Sequence, residues 1–131
     1  MDPLPARVAV ILVDHGSQFA EANAMLDEVA RGYQRMAAVD IVEPAHMEIA
    51  EPTIAQAFAR CVARGARDVV VHPYFLSPGR HSIADIPRLT REAAAGFPGV
   101  RYRVTQPLGL DERMAEIIHR RVLDALGGAN S

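Results

Sequence analysis

Val8-Ala-Val-Ile-Leu-Val13 is a run of six apolar residues, and Asp14-His-Gly-Ser17 follows it directly. Such a run is typical of a strand that is buried on both faces of a parallel sheet. It is far shorter than the ~20 residues that a membrane-spanning helix needs. Ligands of open α/β sheets bind at the carboxyl ends of the strands, so the polar residues that follow the run lie where a functional loop is expected.

The alternation of strand and helix occurs four times along the chain. Further strands are predicted near residues 40–44, 68–73 and 100–105, and helices over residues 22–36, from Glu51-Pro52 to Gly65, from Ser82, and over residues 111–126. Four such units predict an α/β fold with a four-stranded parallel sheet and helices on both faces, as in flavodoxin-like proteins. We expect a single domain over residues 1–131, with a core over about 7–126 and a flexible tail over 127–131.

Local patterns predict where the helices begin and which face they bury. Pro52 suits the first turn of the second helix, and Ser82-Ile-Ala-Asp85 resembles a capping box at the start of the third. In the last helix, apolar residues at helical spacing predict an inward face made of Met114, Ile117, Ile118, Val122 and Leu126.

Composition excludes several classes of function. The formal net charge is −2 and Trp is absent, so the chain lacks the basic, aromatic surface of a nucleic-acid-binding protein. All 14 basic residues are arginine, which excludes a lysine Schiff base and a phosphate-binding P-loop. The single cysteine, Cys61, cannot form an internal disulfide, and residues 1–7 do not resemble a signal peptide. We therefore expect a reducing, cytoplasmic location.

Three residues that can bind a metal follow three of the predicted strands. They are His15, Glu48 and His81, and the predicted topology brings all three to the same edge of the sheet. Two imidazoles and one carboxylate suit a divalent first-row metal, and three protein ligands leave positions open for reaction. Neutral imidazole can also accept a proton near pH 7.

Each candidate also has an interpretation without a ligand role. A lone histidine after a strand is more often a hydrogen-bonded loop residue, Glu48 can face solvent, and a cap at Ser82 would explain the turn at His81. His46 ranks below Glu48 as a ligand. Asp14 either orients the histidine that follows it or only ends the strand.

Other polar residues have structural interpretations. His72 is expected to be a hydrogen-bonded histidine of the core or its rim, Cys61 a core residue on a helix face, and Glu51 a helix-start residue that is favourable with the helix dipole.

Three known motifs that place functional residues after the first strand are excluded by the residues found in this chain. Histidine phosphatases need an arginine where Asp14 stands, and a carboxylate there would repel phosphate. Receiver domains need an aspartate at the end of the third strand and a lysine, but His72-Pro73 occupies that place and the chain has no lysine. No GxGxxG follows the first strand, so a dinucleotide site is unsupported.

Three blocks of sequence resemble the small CbiX/SirB family of sirohydrochlorin chelatases, most closely the plant and cyanobacterial type. They are Val13-Asp-His-Gly-Ser17, Ile41-Val-Glu-Pro-Ala-His-Met-Glu-Ile-Ala-Glu-Pro-Thr-Ile54, and Val71-His-Pro-Tyr-Phe-Leu-Ser-Pro-Gly-Arg-His81. The second and third blocks are long and specific, and the likeness extends from Val8 to about Val122.

The resemblance implies a chelatase-type fold and a sirohydrochlorin ferrochelatase of siroheme synthesis, with no permanent cofactor and Fe²⁺ as the metal substrate. It implies metal ligands at His15, Glu48 and His81, with His15 and His81 as catalytic groups and Ser17 and Arg80 on the substrate side. Co²⁺ insertion for cobalamin, a non-catalytic metal or tetrapyrrole carrier, and an interaction domain without metal affinity stay open as alternatives.

The resemblance also implies a homodimer, because larger relatives carry two such domains across a cleft. Arg88 either pairs with a substrate carboxylate, as Arg80 is expected to do, or is a solvated surface residue. Gln18 stands where many members have arginine, which predicts a weaker contact with a substrate carboxylate. The cysteine cluster of plant-type members has no counterpart, so we expect no iron–sulfur centre.

Overall fold

The sheet has four parallel strands: β1 (Val8–Asp14), β2 (Ile41–His46), β3 (Asp68–Pro73) and β4 (Arg101–Val104). The computed structural model describes residues 1–77 and 79–127, without the side chains of residues 80–83. The strand order is β2-β1-β3-β4, so β1 lies between two neighbours. Its central position explains the continuous apolar run, because both faces and both edges of β1 are covered.

Helices cover both faces of this sheet. They are α1 (Ala20–Ala37), α2 (Ile54–Ala63) and α3 (Arg80–Ala94), and α4 (Glu112–Leu126) is the last element of the chain. Alternate residues of β1 point to opposite faces. Ile11 and its neighbours pack with α2 and α3, whereas Val10 and Leu12 pack with Leu26 and Ala30 of α1. The predicted fold class is confirmed.

Two predicted helix starts are wrong. The second helix begins at Ile54 rather than at Pro52, because the Thr53 hydroxyl accepts the Gln56 amide at 3.1 Å and the Gln56 side chain returns a bond to the Thr53 amide. This reciprocal cap satisfies two helix-end donors. The third helix begins at Arg80 after an extended Gly79, so the expected capping box at Ser82 falls inside the helix.

The second strand is longer than predicted and ends at His46 rather than at residue 44. Its ladder with β1 runs as far as the pair Asp14 and His46. Pro44 lies within the strand opposite Leu12. Proline lacks the amide hydrogen of a ladder donor, and it is tolerated here because β2 is an edge strand.

The inward face predicted for the last helix is wrong. No residue of α4 is buried, and Ile118 is 64% exposed and Leu126 77% exposed. Helical spacing identifies residues that share a face, but it does not say what covers that face. The expected tail falls largely on residues 128–131, which lie outside the described part of the chain. None of the helices in residues 1–77 and 79–127 is long and apolar enough to cross a membrane.

Candidate metal and substrate site

His15 and Glu48 are brought side by side at the carboxyl edge of the sheet. The backbone pairing of β1 with β2 continues past both strand ends, because the Met47 amide donates to the carbonyl of Asp14 at 2.8 Å and the Glu48 amide donates to the carbonyl of His15 at 3.2 Å. Both His15 and Glu48 are exposed. An imidazole and a carboxylate on adjacent backbone positions are therefore open to a ligand that approaches from solvent.

The His15 ring stacks on Phe75, which lies in the loop after β3. The ring centroids are 4.5 Å apart and the ring planes differ by 23°. Stacking uses the face of the imidazole, whereas the lone pair of a ring nitrogen lies in the ring plane. The contact therefore orients His15 and leaves a nitrogen free for a metal. Sequence reasoning missed Phe75, although it stands in the third family block next to the loop that leads to His81.

Asp14 does not hold His15 through a direct bond. Its Oδ1 accepts the Gly16 amide at 3.0 Å and lies 2.5 Å from Nδ1 of His46. His46 is 2% exposed, which supports its low rank as a ligand. Asp14 therefore does more than end the strand, because its carboxylate joins the ends of β1 and β2.

Gly16 lies against the loop that carries Glu48. Its φ is +91°, a backbone conformation that side chains disfavour. A Cβ at this position would lie 1.9 Å from the carbonyl oxygen of Glu48, far inside van der Waals contact. The absence of a side chain at Gly16 thus lets the loop after β1 approach the backbone of Glu48 closely.

The loop between Gly16 and α1 is held by its own polar groups. The Ser17 amide donates to the Asn23 side chain at 3.0 Å, and that side chain donates back to the Ser17 carbonyl at 2.8 Å. The Ser17 hydroxyl accepts the Phe19 amide at 3.0 Å. An accepting hydroxyl can still donate its own hydrogen, so Ser17 keeps one donor for a ligand.

His81 and Arg80 lie in the first turn of α3, and their side chains are outside the described part of the structure. Among the described residues, no three side chains of His, Cys, Asp and Glu are placed to hold one metal ion. The ligand roles of His15, Glu48 and His81 and the arginine contact with substrate therefore stay predictions.

Arg88 is engaged within its own helix. Its guanidinium lies 3.3 Å from Asp85 and 3.2 Å from Glu92, at the spacings of neighbours on one helix face. These contacts favour the surface interpretation of Arg88 over a contact with substrate.

The structural interpretations of His72 and Cys61 are confirmed. Nδ1 of His72 lies 2.7 Å from the Thr105 hydroxyl, and burial lowers the pKa of His72. Cys61 is a buried core residue of α2, and burial raises the pKa of its thiol to about 12. A thiol that stays protonated is neither a nucleophile nor a metal ligand.

The sheet, the paired loops and the three sequence blocks agree with one family, whose CbiX model matches residues 9–125. The chain belongs to the CbiX family. The resemblance found in the sequence is confirmed, and the match covers the four strands except Val8 and nearly all of α4.

Relatives of this CbiX chain have names that refer to one substrate. The chloroplastic sirohydrochlorin ferrochelatase of Arabidopsis thaliana is 47% identical over 117 residues, covering 89% of this chain and 52% of that protein. A sirohydrochlorin cobaltochelatase of Methanopyrus kandleri is 30% identical over 140 residues, covering 92% of this chain and 98% of that protein. The chain spans about half the length of the Arabidopsis relative.

A solved structure shares the architecture. SirB from Bacillus subtilis with Fe³⁺ superposes with a TM-score of 0.83 at 30% identity, over 91% of this chain and 47% of that one. The four-stranded parallel sheet with its flanking helices is thus an architecture of the CbiX/SirB chelatases.

Proposed function

We propose that this CbiX chain is a sirohydrochlorin ferrochelatase that inserts Fe²⁺ into sirohydrochlorin in siroheme synthesis. The observation that carries the proposal is the pairing of His15 with Glu48, whose backbones are joined at 3.2 Å on the exposed edge of the sheet. The relatives named for sirohydrochlorin supply the substrate class. The reaction consumes the metal as a substrate, so no permanent cofactor is required.

The proposed site combines metal binding with proton removal. His15, Glu48 and His81 hold the divalent metal, which keeps open positions for the ring nitrogens of the substrate. Sirohydrochlorin loses two pyrrole protons as the metal enters, and His15 and His81 are the bases that accept them. Both roles suit neutral imidazole, which binds a metal in one state and a proton in another.

Substrate binding is proposed to use Ser17 and Arg80, which lie beside the proposed metal ligands His15 and His81 in the sequence. Sirohydrochlorin is rich in carboxylates, which a guanidinium binds through two parallel hydrogen bonds, and Arg80 is the candidate. Ser17 has a free hydroxyl hydrogen beside His15 and can donate to a second carboxylate. The exposed sheet edge fits a broad, flat ring, because such a substrate needs an open surface rather than a deep pocket.

Two other functions share parts of this chemistry. Co²⁺ accepts the same nitrogen and oxygen ligands as Fe²⁺, and the Methanopyrus relative is named a cobaltochelatase. A non-catalytic metal or tetrapyrrole carrier would use the same groups without turnover.

An anaerobic absorbance assay tests these functions. Purified protein at catalytic concentration is mixed with sirohydrochlorin and either Fe²⁺ or Co²⁺, beside a His81→Ala variant. We expect several turnovers per protein molecule with Fe²⁺, faster than with Co²⁺, and a loss of this rate in the variant. A faster rate with Co²⁺ would favour the cobaltochelatase, and one equivalent of bound substrate without turnover would favour the carrier. A rate equal to that of metal and substrate alone contradicts the enzyme.

We further propose that the chain forms a homodimer in a reducing, cytoplasmic location. One feature supports the dimer: α4 exposes Ile118, Val122 and Leu126, apolar side chains on one face of the helix that a second copy would cover. The buried, unpaired Cys61 agrees with a reducing location.

An Ile118→Glu substitution is expected to separate the dimer. Ile118 is 64% exposed, and a carboxylate there would have to lose its hydration in an apolar interface. Size-exclusion chromatography with light scattering should give roughly twice the 14.2 kDa chain mass for the wild type and the chain mass for the variant. Arg120→Glu is the control, since Arg120 is also exposed and lies two positions from Ile118, on the opposite side of the helix. A monomeric wild type at assay concentration contradicts the dimer.

A further inference from the structure

One buried pair of side chains joins the two strand ends that carry His15 and Glu48. His46 ends β2 and is 2% exposed, and its Nδ1 lies 2.5 Å from Oδ1 of Asp14, the last residue of β1. The same oxygen accepts the Gly16 amide at 3.0 Å. A carboxylate oxygen accepts hydrogen bonds, so His46 makes this bond in the tautomer that carries a hydrogen on Nδ1.

Each member of the pair also holds the backbone of one loop. Asp14 binds the amide two residues along the chain, so His15 lies between two fixed positions. The His46 amide donates to the carbonyl of Pro52 at 2.8 Å, which closes the loop that carries Glu48. The contact between the two side chains therefore connects one loop to the other.

We propose that His46 and Asp14 are a positioning pair that sets the distance between His15 and Glu48, and through it the affinity for the metal substrate. The inference rests on the chelatase site proposed above. A hydrogen bond to a charged acceptor is short and strong, and burial of His46 keeps water from competing for it. The pair acts through the backbone of the two loops and touches neither metal nor substrate.

Two substitutions at one position separate the hydrogen bond from the bulk of the ring. His46→Asn keeps a donor, because Nδ2 of asparagine is bonded to Cγ as Nδ1 of histidine is. His46→Leu fills similar space and donates nothing. His72→Leu is the matched control: it removes a strand histidine whose Nδ1 lies 2.7 Å from the Thr105 hydroxyl, and this bond joins neither the loop of His15 nor the loop of Glu48.

Two measurements test the proposal, one without metal and one with it. The first is hydrogen exchange at the Gly16 and Glu48 amides, which the paired loops should protect. The second is the Kd for Co²⁺ alone, from its visible absorbance. We expect His46→Leu to speed exchange at both amides and to raise the Kd by about tenfold or more, as loss of groups that orient metal ligands does. His46→Asn should stay within about threefold of wild type, and His72→Leu should change neither quantity.

The outcomes separate a positioning role from a structural one. If folded His46→Leu melts at a lower temperature but binds Co²⁺ with an unchanged Kd, the pair is only structural and the proposal is overturned. If His46→Asn weakens binding as much as His46→Leu, the shared donor is not responsible and the proposal also fails. A wild type that binds no Co²⁺ overturns the proposed metal site instead, and the exchange rates then decide whether the pair holds the two loops.

Discussion

Gly16→Ala is expected to lower the free energy of unfolding by about 2–5 kcal/mol. Two costs add at this residue. The φ of +91° disfavours any side chain, and a Cβ would lie 1.9 Å from the Glu48 carbonyl oxygen, so one of the two loops must move. Movement of either loop breaks the backbone contact between His15 and Glu48, so metal insertion should fall even where the variant is folded.

Urea unfolding followed by circular dichroism measures this loss of stability. Gly32→Ala is the matched control, because Gly32 lies inside α1 with nothing within 4 Å of an added Cβ. Alanine in a helix interior is more favourable than glycine by about 0.5–1 kcal/mol, so this control should be slightly more stable than wild type. Equal stability of Gly16→Ala and wild type would show that the loop of Gly16 and the loop of Glu48 do not meet as described.

His15→Ala is expected to reduce kcat/KM for Fe²⁺ insertion by at least about 100-fold, because even groups that only orient metal ligands are worth about 10–100-fold. The variant removes the proposed metal ligand and the proposed proton acceptor together. Its stability should change little: His15 is exposed, and the side chain gives up only its stack on Phe75, worth about 0.5–1.5 kcal/mol.

The anaerobic chelation assay measures this loss, with thermal melting to show that the variant is folded. His119→Ala is the control, since His119 is an exposed histidine of α4. A folded His15→Ala protein that inserts Fe²⁺ at the wild-type rate would place the metal site elsewhere on the sheet edge.

The location of the candidate site could be predicted from sequence because the positions of the strands and of the loops that follow them can be read from periodicity. The apolar run Val8–Val13 and the alternation of strands with helices require a parallel sheet, and a parallel sheet gathers the residues that follow its strands at one edge. His15 and Glu48 are predicted on that ground, and in the structure the Glu48 amide donates a hydrogen bond to the His15 carbonyl at 3.2 Å. His81 is predicted in the same way, and the roles of all three residues as metal ligands stay predictions.

The contacts that hold His15 and Glu48 in place could not be predicted, because they join residues that are far apart in the chain. Asp14 and His46 are separated by 32 positions, and only the register of β1 with β2 pairs them. The stack of Phe75 on His15 likewise depends on where the loop after β3 turns.

The sequence by itself determined the fold class, the covered first strand and the sheet edge where His15 and Glu48 meet, since these follow from the local spacing of apolar and polar residues. Only the tertiary structure decided what surrounds them: the partner of Asp14, the tight approach of Gly16 to the Glu48 loop, and the exposure of α4. Local spacing sets which side chains share a face, but register and packing set which distant groups come into contact.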